Sequence, residues 1–392
     1  MKRQVAYIIV LLILLVSTES CKRHTPVIID DSNMITIEVS DQNKMDPRSV
    51  IEEMELIPLE TTAESLIGDV EHLFMVDDKI IVVDIVHSKS IFIFGRKGEL
   101  IRRINGLGRG PNEYLNLSHV ALTHDKQHIA AYDDKGAGIL FYDLDGNLVS
   151  IEKVGFDLYK MEYADNNHIA CTTYGSNRKR TGQEDSDYLI YFTNHRYNIE
   201  SGIFRNRFDR DIFSLSPTLK KFNDLVYFNP VLSDTIYTAN ANAFIAKYRL
   251  DMSPINGFSN PRSDIDKKKI DDFLFTRPLF SGHFVDGDQY LLFNISTPPE
   301  RVIENYIYDK TTGKTCKLEY NWNDSSCLFH SNLNSSLWAS GNQYLAAIPA
   351  FAITMIVPEE YRKNNDALKN LTEDDNPVLV LYTLKTNTDN DK

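Results

Sequence analysis

The feature that most constrains the fold is a four-stranded unit that repeats. Between residues 69 and 104, four short runs of β-forming residues alternate with turn signals, and the last two form the hairpin IFIFGRKGELI. The same order returns between residues 117 and 153, where the matching hairpin reads ILFYDLDGNLV. Turns rich in Gly, Asp and Asn between apolar runs are typical of β-hairpins. The repeat therefore predicts successive four-stranded antiparallel sheets.

Four less regular units follow. They lie at residues 159–204, 218–250, 282–320 and 337–384, with polar insertions at 175–187, 251–275 and 359–376. We consider helices within 359–376 and 263–275. Six units of about 50 residues each are typical of a β-propeller. Many short strands also occur in sandwiches and barrels, but six four-stranded units make too long a chain for one sandwich.

The segment before the first unit predicts how the ring closes. ELIPLE, residues 55–60, is strand-like but contains Pro58, which an edge strand tolerates and a central strand does not. We expect it to join the last blade. The predicted fold is all-β, a six-bladed propeller of four-stranded blades with an N-terminal strand closing the ring. The predicted layout follows: a lipoprotein signal peptide at 1–20, a polar tether at 21–50, the propeller at 51–386 and a polar tail at 387–392.

The first 20 residues have the pattern of a secretory signal. Lys2 and Arg3 precede the almost wholly apolar run Val5–Val16, which is too short for a comfortable bilayer span. The small residues that end at Cys21 resemble a bacterial lipobox, in which the cysteine becomes the first mature residue and carries lipid. Thr18 and Glu19 depart from that pattern. The alternative is an ordinary cleaved signal that leaves Cys21 as a free thiol.

The net charge narrows the choice of partners, and the cysteines allow predictions of burial and of one disulfide. The formal net charge of −13 makes nucleic acid and anionic membrane surfaces poor partners. Cys171 lies in an apolar run, where we expect a small buried side chain. Cys316 and Cys327 are the one plausible disulfide pair, which an oxidising compartment permits but spacing alone cannot establish.

A resemblance to a known family rests on the segment after the first hairpin, GLGRGPNEY at residues 106–114. It is similar to the six-bladed propeller lipoproteins of Bacteroides-type bacteria, in which a G-x-G-x-G-P-G-E-Tyr/Phe segment follows the first-blade hairpin. The matching residues are Gly106, Gly108, Gly110, Pro111, Glu113 and Tyr114. Asn112 stands where glycine is usual, and we expect it to adopt the positive φ of that turn. The resemblance covers about residues 50–385 and implies a relation to NHL-like propellers. It implies fold and location more than activity.

The glycine-rich segment has three interpretations. A nucleotide-binding loop is disfavoured, because no helical periodicity follows it to supply backbone N–H groups at a helix start. A blade-to-blade crossing that needs unusual φ angles is the structural interpretation. The functional one is a loop at the mouth of a funnel that offers Arg109, Glu113 and Tyr114 to a ligand.

The sequence contains no HExxH, HxH, GxSxG, CxxC or P-loop motif, and we predict no cofactor and no metal site from it. His119, His124 and His128 are close in sequence, but a strand and a turn point them apart. Asp143 opens a segment similar to half of a Ca²⁺ loop, yet the twelfth position is Val154 rather than Glu. Trp322 and Trp338 could stack on sugars if they lie at loop tips.

Two functions remain open. The first is a non-enzymatic, lipid-anchored envelope protein that binds or scaffolds a peptide, a glycan or a partner protein. Its expected place is the periplasmic side of the outer membrane, since Lys22, Arg23 and His24 lack the acidic cluster that resembles a surface-export signal. The alternative is a metal-dependent hydrolase or lyase of the lactonase type, with a divalent metal in the central channel. Its ligands would be scattered over several blades, where a motif search can miss them.

Overall fold

The computed structural model describes residues 28–110, 112–136, 138–173, 188–205, 218–230, 232–240, 243–256, 276–321, 328–329 and 337–386. The predicted signal peptide, Cys21, the predicted tail and the helix considered at 263–275 lie outside these ranges. Trp322 and Cys327 also lie outside them, so the pairing of Cys316 with Cys327 stays a prediction.

Four strands precede the first repeat: β1, Ile28–Asp30; β2, Ile35–Glu38; β3, Lys44–Met45; and β4, Ile51–Pro58. A 3-10 helix, Pro47–Ser49, separates β3 from β4. Blade 1 contains β5, His72–Val76; β6, Lys79–Asp84; β7, Ser90–Gly95; and β8, Leu100–Ile104. Blade 2 contains β9, Leu117–Leu122; β10, His128–Asp133; β11, Gly138–Asp143; and β12, Leu148–Lys153.

Blade 3 contains β13, Lys160–Tyr163; β14, His168–Thr172; β15, Tyr188–Asn194; and β16, Ile199–Arg205. Blade 4 contains β17, Thr218–Phe222; β18, Leu225–Asn229; β19, Thr235–Asn240; and β20, Ala243–Asp251. Blade 5 contains β21, Leu279–Asp286; β22, Tyr290–Thr297; β23, Val302–Asp309; and β24, Lys314–Leu318. Blade 6 contains β25, Leu337–Ser340; β26, Gln343–Ile348; and β27, Val378–Leu384. The predicted six-bladed propeller is confirmed.

The fourth strand of blade 6 comes from the N-terminal end of the ring. β4 pairs antiparallel with β27, so that Leu56 lies opposite Val380 and Ile57 opposite Leu379. The predicted closing strand is confirmed, although it begins at Ile51 rather than at residue 55. The turn of blade 1 packs against it: Gly98 has φ +89°, and a Cβ there would overlap the carbonyl oxygen of Pro58. The closing strand therefore joins blade 6 to blade 1.

The central strands are apolar on both faces because each blade packs between two neighbours. In blade 1, residues 80–83 of β6 and residues 91–94 of β7 are completely buried. One apolar cluster at the closing seam contains Ile57, Phe92 and Leu379. Burial on both faces explains why these strands appear in the sequence as continuous apolar runs rather than as alternating ones.

Residues 28–50, predicted as part of a free tether, pack against the outside of the ring. β1 and β2 pair in parallel with β20, the outermost strand of blade 4, and β3 pairs in parallel with β24 of blade 5. Ile37 and Val39 are buried there. The sequence looks polar because only alternate residues of this segment face the ring. Pairing also covers two strand edges that would otherwise be open.

The last blade contains an insertion that is partly helical. Ala350–Ile356 forms a short helix, whereas the sequence placed this apolar run among the strands. Pro349 precedes it, and Ala350 and Ile353 are buried three residues apart, which is a helical spacing. Glu359–Lys363 is helical as considered, and Ser253–Asn256 forms one further turn. No helix in the described ranges is both long and apolar enough to cross a membrane.

Candidate functional site

The crossing from blade 1 to blade 2 is fixed by its own side chains. Tyr114 is completely buried, and its hydroxyl donates to the carbonyl oxygen of Lys89 at 2.5 Å. The carboxylate of Glu113 accepts the backbone N–H of Gly110 at 2.6 Å. Glu113 and Tyr114 thus stabilise the loop. Arg109 is exposed at the surface and makes no hydrogen bond or ion pair within the described residues.

The glycines of this crossing provide space rather than unusual backbone angles. Gly106, Gly108 and Gly110 do not adopt a left-handed φ, so the expectation that these glycines supply unusual backbone angles is wrong. A Cβ on Gly108 would overlap the carboxylate of Glu113, and one on Gly106 would lie 3.1 Å from the ring of Tyr114. The chain needs glycine because the loop folds back tightly over these two side chains.

Aspartates at the end of the second strand hold the crossings of blades 1 and 2 in place. Asp133 accepts the backbone N–H groups of Leu115 and Asn116 at 2.8 and 3.1 Å. Asp84, at the equivalent place in blade 1, accepts those of Gly68 and His87, both at 2.8 Å. These carboxylates satisfy backbone donors at turns, which is what the Asp-rich turn sequences predict.

The central channel is a candidate site, a cavity of about 1410 Å³. Residues of β5, β9, β13, β17, β21 and β25, the first strand of every blade, line it. Each of these strands contributes a polar or aromatic side chain: His72, His119, Lys160, Lys220, His283 and Trp338. A concave site with a few convergent polar groups is the usual form of a ligand pocket.

Lys160 and Lys220 are two cations that the inner strands of blades 3 and 4 bring to the channel, which acids such as Asp69 and Glu373 line as well. Burial, together with the charge of Lys160, lowers the pKa of Lys220 to about 8. Burial also lowers the pKa of Lys160. The imidazoles stay neutral: burial lowers the pKa of His119 to about 3, and enclosure with the charges of Lys220 and Lys160 lowers that of His283 to about 4. Burial holds the pKa of His72 well below its usual value as well.

One buried acid lies beside these lysines. Burial raises the pKa of Glu162 to about 8, and the charges of Lys221 and Lys160 oppose that shift. Lys221 donates to the carbonyl oxygen of Tyr163 at 2.9 Å and lies 3.4 Å from Nδ1 of His124. Glu162 therefore lies close enough to Lys221 and Lys160 for their charges to act on it, at the blade 3–blade 4 side of the channel.

The histidines of the channel do not form a metal centre. No group of three His, Cys, Asp or Glu residues within the described ranges could hold a metal ion. The rings of His72 and His119 pack edge to face, with centroids 4.5 Å apart, and His119 Nε2 lies 3.0 Å from the carbonyl oxygen of Met161. The hydrolase or lyase alternative therefore gains no support from this part of the chain. Trp338 lies on an inner strand and not at a loop tip.

A buried ionic network between blades 4 and 5 was not visible in the sequence. Asp286 is almost completely buried at the end of β21 and accepts the hydroxyl of Tyr227 and Nζ of Lys247, both at 2.7 Å. Nζ of Lys310 lies 2.5 Å from its other oxygen, and the hydroxyl of Tyr248 is 3.2 Å away. No local sequence pattern marks Asp286 as the centre of this network, because its partners come from two distant strands and one turn. The network joins blades 4 and 5.

Six four-stranded blades around a central channel define the class: a six-bladed β-propeller. The sequence model of a family described as domain of unknown function DUF4934 matches residues 33–383, and the chain belongs to that family. The match begins before β2 and so includes most of the N-terminal segment that packs on the ring. No curated protein sequence matches the chain.

Solved structures agree with this fold. The chain is similar to a Bacteroides fragilis protein named as exported, with a TM-score of 0.71 and 16% identity over 90% of this chain and 100% of the other. It is also similar to a member of the DUF4221 family from Bacteroides vulgatus, with a TM-score of 0.52 and 10% identity over 86% of this chain and 97% of the other. At such low identities the likeness concerns the fold. It agrees with the propeller that the resemblance implied, whereas the lipoprotein and NHL-like features stay predictions.

Proposed function

We propose that this protein is a non-enzymatic binding or scaffold protein of the bacterial envelope, whose ligand enters the central channel. The observation that carries the proposal is the channel of about 1410 Å³, which receives a polar or aromatic side chain from every blade. Such a site can contact a ligand from all sides without any catalytic group. A peptide, a glycan or a protruding part of a partner protein are the ligand classes that fit its size.

The envelope location is supported by the N-terminal sequence. The secretory signal pattern ends at Cys21, and a lipid on that residue would hold the chain at a membrane. Residue 28 already belongs to a strand that packs on the ring, so only residues 22–27 would separate the lipid-bearing cysteine from the propeller, a span of at most roughly 25 Å. The similarity to a Bacteroides protein named as exported is consistent with this location. We place the protein on the periplasmic side of the outer membrane.

The experiment that tests channel binding compares the native protein with a variant whose channel is narrowed. Both are screened against immobilised peptide and glycan libraries. His283→Trp adds bulk at a residue that lines the channel and is exposed within it. Lys97→Trp, in the exposed turn of blade 1, is the matched control.

We expect a ligand that binds the native protein and Lys97→Trp but is lost from His283→Trp. The absence of any ligand for the native protein, or equal binding by all three, would contradict the proposal. Unfolding curves for each variant show that the ring is intact.

A further inference from the structure

We propose that the channel contains an oxyanion site, in which Lys160 and Lys220 bind a carboxylate, phosphate or sulfate group of the ligand and His283 lies beside them. The inference rests on the proposed channel-binding function and names the chemistry of its ligand. It is carried by the position of the lysines, by their charge balance and by the donors around them.

The two lysines come from neighbouring inner strands. Lys160 begins β13 of blade 3 and Lys220 is the third residue of β17 of blade 4; both line the cavity. Their charges act on each other and on His283 of β21, which places the three groups in one part of the channel. Nζ of Lys160 lies 5.3 Å from the centre of the Tyr159 ring. The fold thus brings together two cations that are separated by 60 positions in the sequence.

Lys220 has no counter-charge of its own. Its ammonium group makes no hydrogen bond or ion pair in the part of the chain that the structure describes. Enclosing a cation without a partner is unfavourable, and a second cation nearby adds repulsion. The buried acid of the channel, Glu162, interacts with Lys221 and Lys160. A bound anion would supply the missing charge and would be stabilised by low local dielectric.

The surrounding groups suit an oxyanion. His72 and His283 are neutral at pH 7 and make no side-chain hydrogen bond within the described ranges, so each can donate one N–H without adding charge. Ammonium and imidazole donors together match the acceptor oxygens of a carboxylate or phosphate. Several acids also line the cavity, and those that are exposed, Asp69, Asp224, Glu373 and Asp374, are screened by water and salt. The half-buried acids Glu71, Asp134 and Asp375 each accept a hydrogen bond from a neighbouring residue.

The test measures binding of simple oxyanions by isothermal titration calorimetry. The probes are inorganic phosphate, inorganic sulfate and glucuronate, with glucose as the neutral counterpart of the last. The proteins are native, Lys220→Met, Lys160→Met and Lys97→Met, the last being an exposed lysine outside the channel. Binding of glucuronate alone would identify a carboxylate ligand, and binding of phosphate or sulfate alone an ester of those acids.

We expect at least one anion to bind the native protein and Lys97→Met, and to bind each channel variant at least tenfold more weakly. Glucose should not bind. No binding of any anion, equal binding by Lys220→Met and the native protein, or glucose binding as tight as glucuronate binding would overturn the inference. The anion test can fail while a ligand from the peptide and glycan libraries still binds the native protein and not His283→Trp. Channel binding then stands, and only the oxyanion site is wrong.

Discussion

Lys220 and Lys160 face the same channel from adjacent blades, and burial together with the charge of Lys160 lowers the pKa of Lys220 to about 8. The same pair that we assign to ligand binding is therefore a source of instability in the unliganded ring. Sites built for binding commonly carry such a cost, because they must hold polar groups ready for a partner that is not yet there.

Lys220→Met should stabilise the protein at neutral pH. The pKa of Lys220 is lower in the folded state, about 8, than the usual value of 10.5, so the charged lysine opposes folding below pH 8. That penalty fades as the pH rises from 8 to 10.5. We expect a gain of about 1 kcal/mol or more in urea unfolding at pH 7 and a smaller gain at pH 10. An equal gain from Lys97→Met, or none from Lys220→Met, would argue against this electrostatic origin.

The buried histidines should make the ring sensitive to acid. His119 has a pKa of about 3 when folded and about 6.5 when unfolded, so the unfolded state takes up the proton first. The stability that this contributes is complete above pH 6.5 and is lost as the pH falls towards 3. We expect the unfolding free energy to decline over that range, and less steeply in His119→Gln. Identical pH profiles for the two proteins would show that His119 is not the cause.

Ring closure should depend on the N-terminal strand. Ile57 is 2% exposed on β4 and pairs with Leu379 on β27, so Ile57→Ala leaves a cavity at the closing seam. We expect a loss of about 2–4 kcal/mol in the free energy of unfolding. Glu53→Ala, an exposed position on the same strand, should stay within about 0.5 kcal/mol of native. Urea and thermal unfolding measure both variants. If Ile57→Ala and Glu53→Ala changed the free energy of unfolding equally, β4 would not be a structural part of blade 6.

The Asp286 network should be sensitive to loss of its charge. Asp286→Asn keeps the shape but leaves Lys247 and Lys310 without their shared buried carboxylate. We expect destabilisation by about 3 kcal/mol, as for other buried ion pairs that lose one partner. Asp288→Asn, two residues on and exposed, is the control and should change little. Urea unfolding at pH 7 measures the stability of both variants. A free energy of unfolding of Asp286→Asn close to that of the native protein would mean that Lys247 and Lys310 reach water easily.

The predicted lipid anchor has a direct test. Cys21→Ala removes the thiol that would carry the lipid, so the variant should move from the membrane fraction to the soluble fraction. Immunoblotting of fractionated cells measures the distribution. Cys171→Ala is the matched control, since Cys171 is buried in blade 3 and its change should leave the location unaltered. Retention of Cys21→Ala at the membrane would rule out anchoring through this residue.

Local patterns allowed most of the scaffold to be predicted. Turn residues between apolar runs define the hairpins, and Pro58 marked an edge strand that closes the ring. Cys171 is buried as its apolar neighbours predicted. The errors were also local: residues 28–50 looked like a tether because only alternate residues are buried, and the glycines of the crossing provide space rather than a positive φ.

The channel could not be predicted in the same way. His72 and Trp338 lie 266 positions apart, yet both line one cavity because the ring brings every first strand to the axis. The sequence by itself determined strands, turns, the repeat and the closing strand, since these depend on neighbours a few residues away. Only the tertiary structure decided which residues of each inner strand line the channel. It also decided that two lysines meet there, because burial and mutual repulsion arise only when distant strands come together.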